Sequence, residues 1–300
     1  MSLLELLGVK NMYDLQGLIL RNIKTFIRDK TAVFFSFLSV IILLALYFLF
    51  IGKQYTSGAE FDAMDGNLKT FLSTGVIMGG VLVVNSISLS LGVMGNMITD
   101  IEQRKLEGFL VTPIKRYKIV LSYFISSILV TFVLTLVMWF LTILYVGVIT
   151  GYWYSIGTIL SISLLVFLYT FVSSSFMIFI VSMLKTVNAF STVAGVLGTV
   201  VGFICGIYMP LEVLGKGVAK FSSLVPFTHM TIWLKQIILS EPYGELNPLL
   251  VKELEVFYGT LEIGVLGYEV NPIWIAIGIT VFSIGLLAIS YRNMSKKLVK

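Results

Sequence analysis

The chain has 300 residues, 57% of them hydrophobic and 12% charged, with a formal net charge of +5. Repeated apolar runs of about 20 residues match a hydrocarbon core roughly 30 Å thick, which excludes a soluble globular domain and removes nucleic acid as the explanation of the positive charge. One cysteine, Cys205, and one histidine, His229, exclude an internal disulfide and any zinc or haem spacing.

Before the first apolar run there is no short apolar core with a small-residue cleavage pattern, so the first span is expected to be retained. Residues 13–30, YDLQGLILRNIKTFIRDK, place Leu15, Leu18, Ile19, Ile23, Phe26 and Ile27 at helical spacing, with Arg21, Lys24 and Arg28 off that stripe. This pattern predicts an amphipathic helix on the membrane interface leading into the first span.

Six spans are expected, over 33–51, 71–98, 119–149, 156–184, 187–209 and 272–291. They are helical, because an isolated strand cannot satisfy its backbone groups in lipid and no alternating ten-residue barrel pattern occurs. The whole chain, 1–300, therefore reads as a single all-α integral membrane domain. Six crossings put both termini on one side. That side carries fifteen Lys and Arg: five before the first span, five between the second and third, Lys185, and four at the C-terminus. The other side carries six, although it holds the longest loop. Lys and Arg concentrate on cytoplasmic loops, so both termini are expected in the cytoplasm of a multi-pass membrane protein.

Inside the spans there is no Asp, Glu, Lys, Arg or His. Ionisable groups at membrane depth mark proton relays, ion sites and voltage sensors, so their absence disfavours an ion-coupled carrier or a charged-substrate channel. A path for an amphiphilic molecule, or a purely structural membrane protein, remains. Asn85, Ser86, Ser88, Ser90 and Ser173 to Ser175 are then candidates either for a pathway or for hydrogen bonding between packed helices. Gly198, Gly202 and Gly206 recur at spacing four on one expected helical face, as do Gly75 and Gly79. Such faces serve intramolecular packing, a subunit interface or a hinge. Trp139, Tyr152, Trp153 and Tyr154 do not decide between substrates, since aromatic belts occur at any interface.

The outer loop, 210–271, contains a stretch over 218–239 that is interrupted by Lys220, His229 and Lys235, with Pro226 placed to start a helix. It is expected to be re-entrant rather than a seventh crossing. The distal half of the loop has six Glu and one Lys, and reads as an acidic, weakly structured cap with some strand pairing within residues 254–270. No phosphate-binding Gly-Lys-Ser/Thr motif exists: Gly52-Lys53 and Gly215-Lys216 lack both the upstream Gly and the following hydroxyl. The chain is thus expected to be no enzyme, with no cofactor or metal of its own.

The most polar inner segment, 100–116, DIEQRKLEGFLVTPIKR, is either a short helix on the cytoplasmic surface or a solvated loop with cationic anchors. This segment, EQRKLEGFLVTPIKRYKIVLSY in full, together with the amphipathic N-terminus, the six spans and GIYMPLEVLGKGVAKFSSLVPFTHMTIWLKQ after the fifth, resembles the permease subunit of type-2 ABC exporters of bacterial drugs, antibiotics and polysaccharides. Glu102, Glu107, Leu110, Thr112, Pro113 and Arg116 fit the family pattern, whereas Arg104 and Lys105 stand where many members have Gly-Thr and Gly215 replaces a frequent Pro.

The resemblance implies that 100–116 is a coupling helix docking into a separate cytosolic ABC ATPase through Glu102, Arg104, Lys105 and Glu107, braced by the helix around Arg21, Lys24 and Arg28. It implies a re-entrant segment, including Pro210, Glu212 and Pro226, that closes an exit. It also implies two ATPase copies that bind ATP and Mg, and a second permease copy, or a related permease, in a bacterial cytoplasmic membrane. The substrate would be an amphiphilic drug, antibiotic, lipid-linked molecule or peptide. A cell-wall polysaccharide or teichoic acid exporter, or a non-transporting scaffold or sensor, are the alternatives.

Overall fold

The computed structural model describes residues 9–46, 61, 64–112, 114–206, 215–260, 264–265 and 268–297. Helix α1 covers Val9–Arg28 and α2 Lys30–Leu46. Between them Asp29 accepts a hydrogen bond from the Ala32 amide at 2.9 Å, capping the start of α2 and turning the chain out of the interface helix. The first span, expected over 33–51, is described as far as Leu46, and the rest of it lies outside the described residues.

Helix α3, Gly66–Glu102, begins where the Asp65 side chain accepts from the Asn67 amide at 3.1 Å. Its 37 residues make it about 55 Å long, more than a membrane requires, so its last turns carry Asp100 and Glu102 beyond the apolar layer. A six-residue helix, α4, spans Lys105–Leu110. Then follow α5 over Arg116–Thr150, α6 over Ile156–Met183 and α7 over Val187–Ile204. Side-chain caps start α6 and α7: Ser155 accepts from the Thr158 amide and Thr186 from the Ala189 amide, each at 3.2 Å.

The segment after α7 contains α8, Lys216–Ser222, α9, Pro226–Gly244, and α10, Pro248–Phe257. Two short strands, β1 (Gly264–Val265) and β2 (Tyr268–Glu269), pair antiparallel before α11, Pro272–Lys297. Among the described residues, α3, α5, α6, α7 and α11 are long and apolar enough to cross a membrane, and α9 is not among them.

Helix α3 is the axis of the bundle, contacted by α2, α5, α6, α7 and α9. Its most apolar window is 78% buried within the chain, against 17% for α7 and 22% for α11, which lie at the periphery. Small residues let its neighbours approach this closely. A Cβ added at Gly79 would stand 2.6 Å from Cγ of Lys235 and 3.0 Å from its backbone nitrogen, and one at Gly75 would meet Ile238 and Leu239 at 3.1 Å. The Gly75–Gly79 face is therefore the seat of α9. Gly92 forms the same kind of seat for Ser36 of α2.

Two expectations change. The fifth span is described as helix only as far as Ile204, where Cys205 caps α7 and Gly206 adopts the left-handed conformation with φ 65°, and 207–209 lie outside the described residues. Gly206 thus closes the helix instead of extending a three-glycine face, because only a residue without Cβ takes that conformation without strain. The distal part of the outer segment is also more ordered than composition implies. Asn247 accepts from the Leu249 amide at 3.0 Å and Pro248 occupies the first helical turn, so residues 248–257 form α10, and among the described residues pairing joins 264–265 to 268–269.

Candidate coupling site

The polar turns below the apolar layer converge on one carboxylate. Nη1 of Arg21, from α1, lies 2.6 Å from Oδ2 of Asp100 at the end of α3, and also donates to the Tyr123 hydroxyl of α5 at 3.0 Å. That hydroxyl donates in turn to Asp100 Oδ2 at 2.5 Å. Lys105 of α4 places Nζ 3.8 Å from Asp100 Oδ1, and the Arg21 guanidinium stands 5.4 Å from the centre of the Phe109 ring. Four helices, α1, α3, α4 and α5, therefore meet at Asp100, whose side chain is only 5% exposed. Burial disfavours the Arg21 charge, yet the hydrogen bond to Asp100 and the neighbouring Tyr123 outweigh it and hold its pKa above the ordinary arginine value.

Two flanking contacts reinforce the joint. Asn22 donates to the Ser122 hydroxyl at 3.2 Å, and Lys118, almost fully buried, donates to Asp14 at 2.9 Å. The Lys118–Asp14 bond is charge-assisted and so stronger than a neutral one, and together the two contacts fasten α1 along the base of α5. Of the interface-helix candidates, Arg21 enters the joint, while Lys24 and Arg28 are exposed. Leu18 and Phe26 of the predicted stripe are buried, whereas Ile27 remains 57% exposed.

The charges expected to meet the ATPase are exposed, Lys105 while also reaching toward Asp100. Glu102, Arg104, Lys105 and Glu107 are all exposed, and Arg104 lies 3.9 Å from Glu107 in a loose pair. Arg104 occupies the kink between α3 and α4 with φ 54°. An L-residue with a Cβ is strained there, which accounts for glycine at the equivalent place in the pattern that this segment resembles. Arg116 is exposed at the first turn of α5. Pro113, Pro210 and Glu212 lie outside the described residues.

Above the joint the spans hold a ladder of hydroxyls. Asn85 donates to Thr135 at 3.2 Å, Ser86 and Ser173 share a bond of 3.0 Å, and Ser174 meets both Ser90 at 3.2 Å and Ser127 at 3.0 Å. All of these are buried between α3, α5 and α6, so Asn85 and Ser86 sit in helix packing. The aromatic residues behave likewise: Trp139 and Tyr154 are buried, and Phe71 stacks on Tyr152.

An open cleft of about 490 Å³ lies elsewhere, between α2, α3 and α7. Asp29, Ser88, Asn96, Thr99 and Ser191 bring polar atoms to it, while Phe35, Leu91 and Phe190 supply apolar walls. The Asn96 side-chain nitrogen is buried without a partner among the described residues. Gly198 lines this cleft, and a Cβ placed on it would meet nothing within 4 Å. Gly202 is buried, and Gly206 accepts from Lys235 Nζ at 3.2 Å. Pro226 begins α9.

A model of one protein family, described as ABC-2 type transporter, matches residues 13–239, from α1 through most of α9. The chain belongs to the ABC-2 type transporter family. It is accordingly a permease, and its family implies an ATPase partner. No curated protein matches the chain. In this ABC-2 permease the Asp100 joint lies inside the matched region, at the junction of the interface helix with the segment that resembles a coupling helix.

The sequence pattern pointed to the exposed charges and missed the joint beneath them. The signal was available in the helical phase of α3. Val93, Met97 and Asp100 fall at i, i+4 and i+7 and are all buried, so the apolar face continues straight onto Asp100, while Glu102 falls off it. Tyr123 and Asn22 carried no comparable signal, since their partners come from other elements.

Proposed function

We propose that the chain is the permease half of an ATP-driven exporter that moves an amphiphilic substrate outward across a bacterial cytoplasmic membrane. Two copies of a separate ATPase, holding ATP and Mg, would dock on Glu102, Arg104, Lys105 and Glu107, and a second permease copy would complete the channel. The observation that carries this reading is the Asp100 joint. It makes α4, the base of α5 and the interface helix one rigid piece continuous with the two longest helices, α3 and α5.

A lever needs such continuity. ATPase closure applied to the exposed face of α4 would be delivered to α3, and with it to the α2–α3–α7 cleft, instead of dissipating in a loop. The cleft combines phenyl walls with the buried Asn96 amide nitrogen, which has no partner among the described residues, the chemistry of an amphiphile with one polar end. Peripheral placement of α7, with its open Gly198 surface, leaves room for a second copy beside it.

The test is charge reversal at two exposed positions, Glu102→Lys with Glu107→Lys. Co-purification with the co-expressed ATPase should fall at least tenfold, while thermal stability of the permease stays unchanged because neither side chain is buried. Unchanged co-purification would sink the docking assignment.

A further inference from the structure

His229 lies in the first turn of α9 and is 6% exposed. Its Nε2 is 2.7 Å from the Ser223 carbonyl oxygen. A carbonyl only accepts, so Nε2 carries the proton and Nδ1 is the ring's acceptor. Burial lowers the pKa of this histidine, against the opposing effect of the Ser223 hydrogen bond, and keeps the ring neutral. Nδ1 is buried and has no partner among the described residues. Buried polar atoms are nearly always paired, so this acceptor calls for a donor.

Beside it opens a cavity of about 330 Å³, between the α8–α9 turn, the short hairpin and the first half of α11. Apart from Ser223 and His229 its described lining is apolar, running along α11 from Trp274 to Phe282. Those eight steps of helix extend about 12 Å. Gly278 lies in the middle of this wall, and a Cβ there would meet nothing within 4 Å. Trp274 and Phe282 form a half-open rim, 68% and 49% exposed.

A water molecule is a poor occupant, since a buried water needs two to four polar partners and, among the described residues of this lining, only Ser223 and His229 are polar. The missing donor must therefore arrive on an apolar body. Among the described residues no charged side chain lines the cavity, which suits a neutral donor group. The cavity shares no lining residue with the α2–α3–α7 cleft, and α11 packs chiefly against α6 on the far side of the bundle. Its occupant comes from the surrounding lipid and not along the cleft.

The geometry points to a binding site for one membrane lipid that presents a neutral hydroxyl to His229 Nδ1 and lays an acyl chain along α11 from Trp274 to Phe282. The helix that carries His229 is the one seated on Gly75 and Gly79, so an occupied site holds α9 against α3. This site does not rest on export: failure of the charge-reversal test leaves it standing.

The experiment uses the full-length chain in detergent micelles, with bound lipid counted by native mass spectrometry. The probes are dioleoylglycerol and its O-methyl ether, which keeps the acyl chains and lacks the donor. Wild type should retain one dioleoylglycerol per chain and bind the ether about fivefold more weakly, the value of one net hydrogen bond. His229→Phe should bind both lipids at the weaker level, and Gly278→Leu, which fills the open space, should bind neither. Equal binding of the two lipids by wild type, or undiminished binding by Gly278→Leu, would overturn the proposal. If His229→Phe does not fold, the lipid pair on wild type and Gly278→Leu still decide it.

Discussion

Changing Asp100 to Asn removes the charge facing Arg21 while keeping an oxygen acceptor and nearly the same volume. The native separation is 2.6 Å, with the two side chains 32% and 5% exposed. At that distance the attraction is about 6 kcal/mol at an effective dielectric of 20 and about 1.6 kcal/mol in bulk water. Partial exposure of Arg21 and the cost of desolvating the carboxylate bring the net value toward that of a charged hydrogen bond, about 2 kcal/mol. A double-mutant cycle with Arg21→Met isolates it. Each single variant should lower unfolding stability by about 2 kcal/mol, measured by SDS titration of the purified chain in mixed micelles. The double variant should lose far less than the sum, giving a coupling energy of about 2 kcal/mol. Additivity within about 0.5 kcal/mol would refute the joint. With the ATPase bound, Asp100→Asn should also reduce substrate-stimulated ATP hydrolysis, because α4 is then no longer held to α1 and α5.

Gly79→Ala should destabilise by about 1–3 kcal/mol in the same titration, since its Cβ would enter the Lys235 stem and backbone. Gly198→Ala should stay within about 0.5 kcal/mol, and equal losses at the two sites would show that the α9 seat is not special. Arg104→Gly should raise stability by about 0.5 kcal/mol by relieving the left-handed backbone, since the exposed pair with Glu107 contributes little; a fall of that size would refute strain at the kink. A cysteine at Glu253, exposed on α10, should react with an impermeant maleimide from outside intact cells, with the native Cys205 silent because it is buried. Reaction only after lysis would reverse the proposed orientation.

Five long apolar helices, the amphipathic pattern of α1 and the polar segment after the second span were legible because each depends on composition within one stretch of chain. An apolar run of sufficient length must be helical in lipid whatever surrounds it. Helix ends were legible only in part. Thr186 and Asn247 announce the starts of α7 and α10 as capping residues, whereas the stop at Ile204 depends on Gly206 turning left-handed and could be mistaken for continued glycine spacing. Charge along 100–116 identified the exposed face of α4 and concealed the more consequential Asp100, because a count of charges does not distinguish a buried carboxylate from a solvated one.

Sequence alone determined that the chain is an all-helical membrane protein with a polar segment between two long spans, since hydropathy and length act locally. The tertiary structure decided which polar groups meet. It joined Arg21 to Asp100 and Tyr123 across 79 and 102 positions of chain, set Asn85 and Ser86 in a packed ladder, and turned Gly75 and Gly79 into the seat of a helix that begins at Pro226. These pairings depend on how helices pack around α3, and helix packing is fixed by shape and hydrogen bonding between distant segments, which no local pattern encodes.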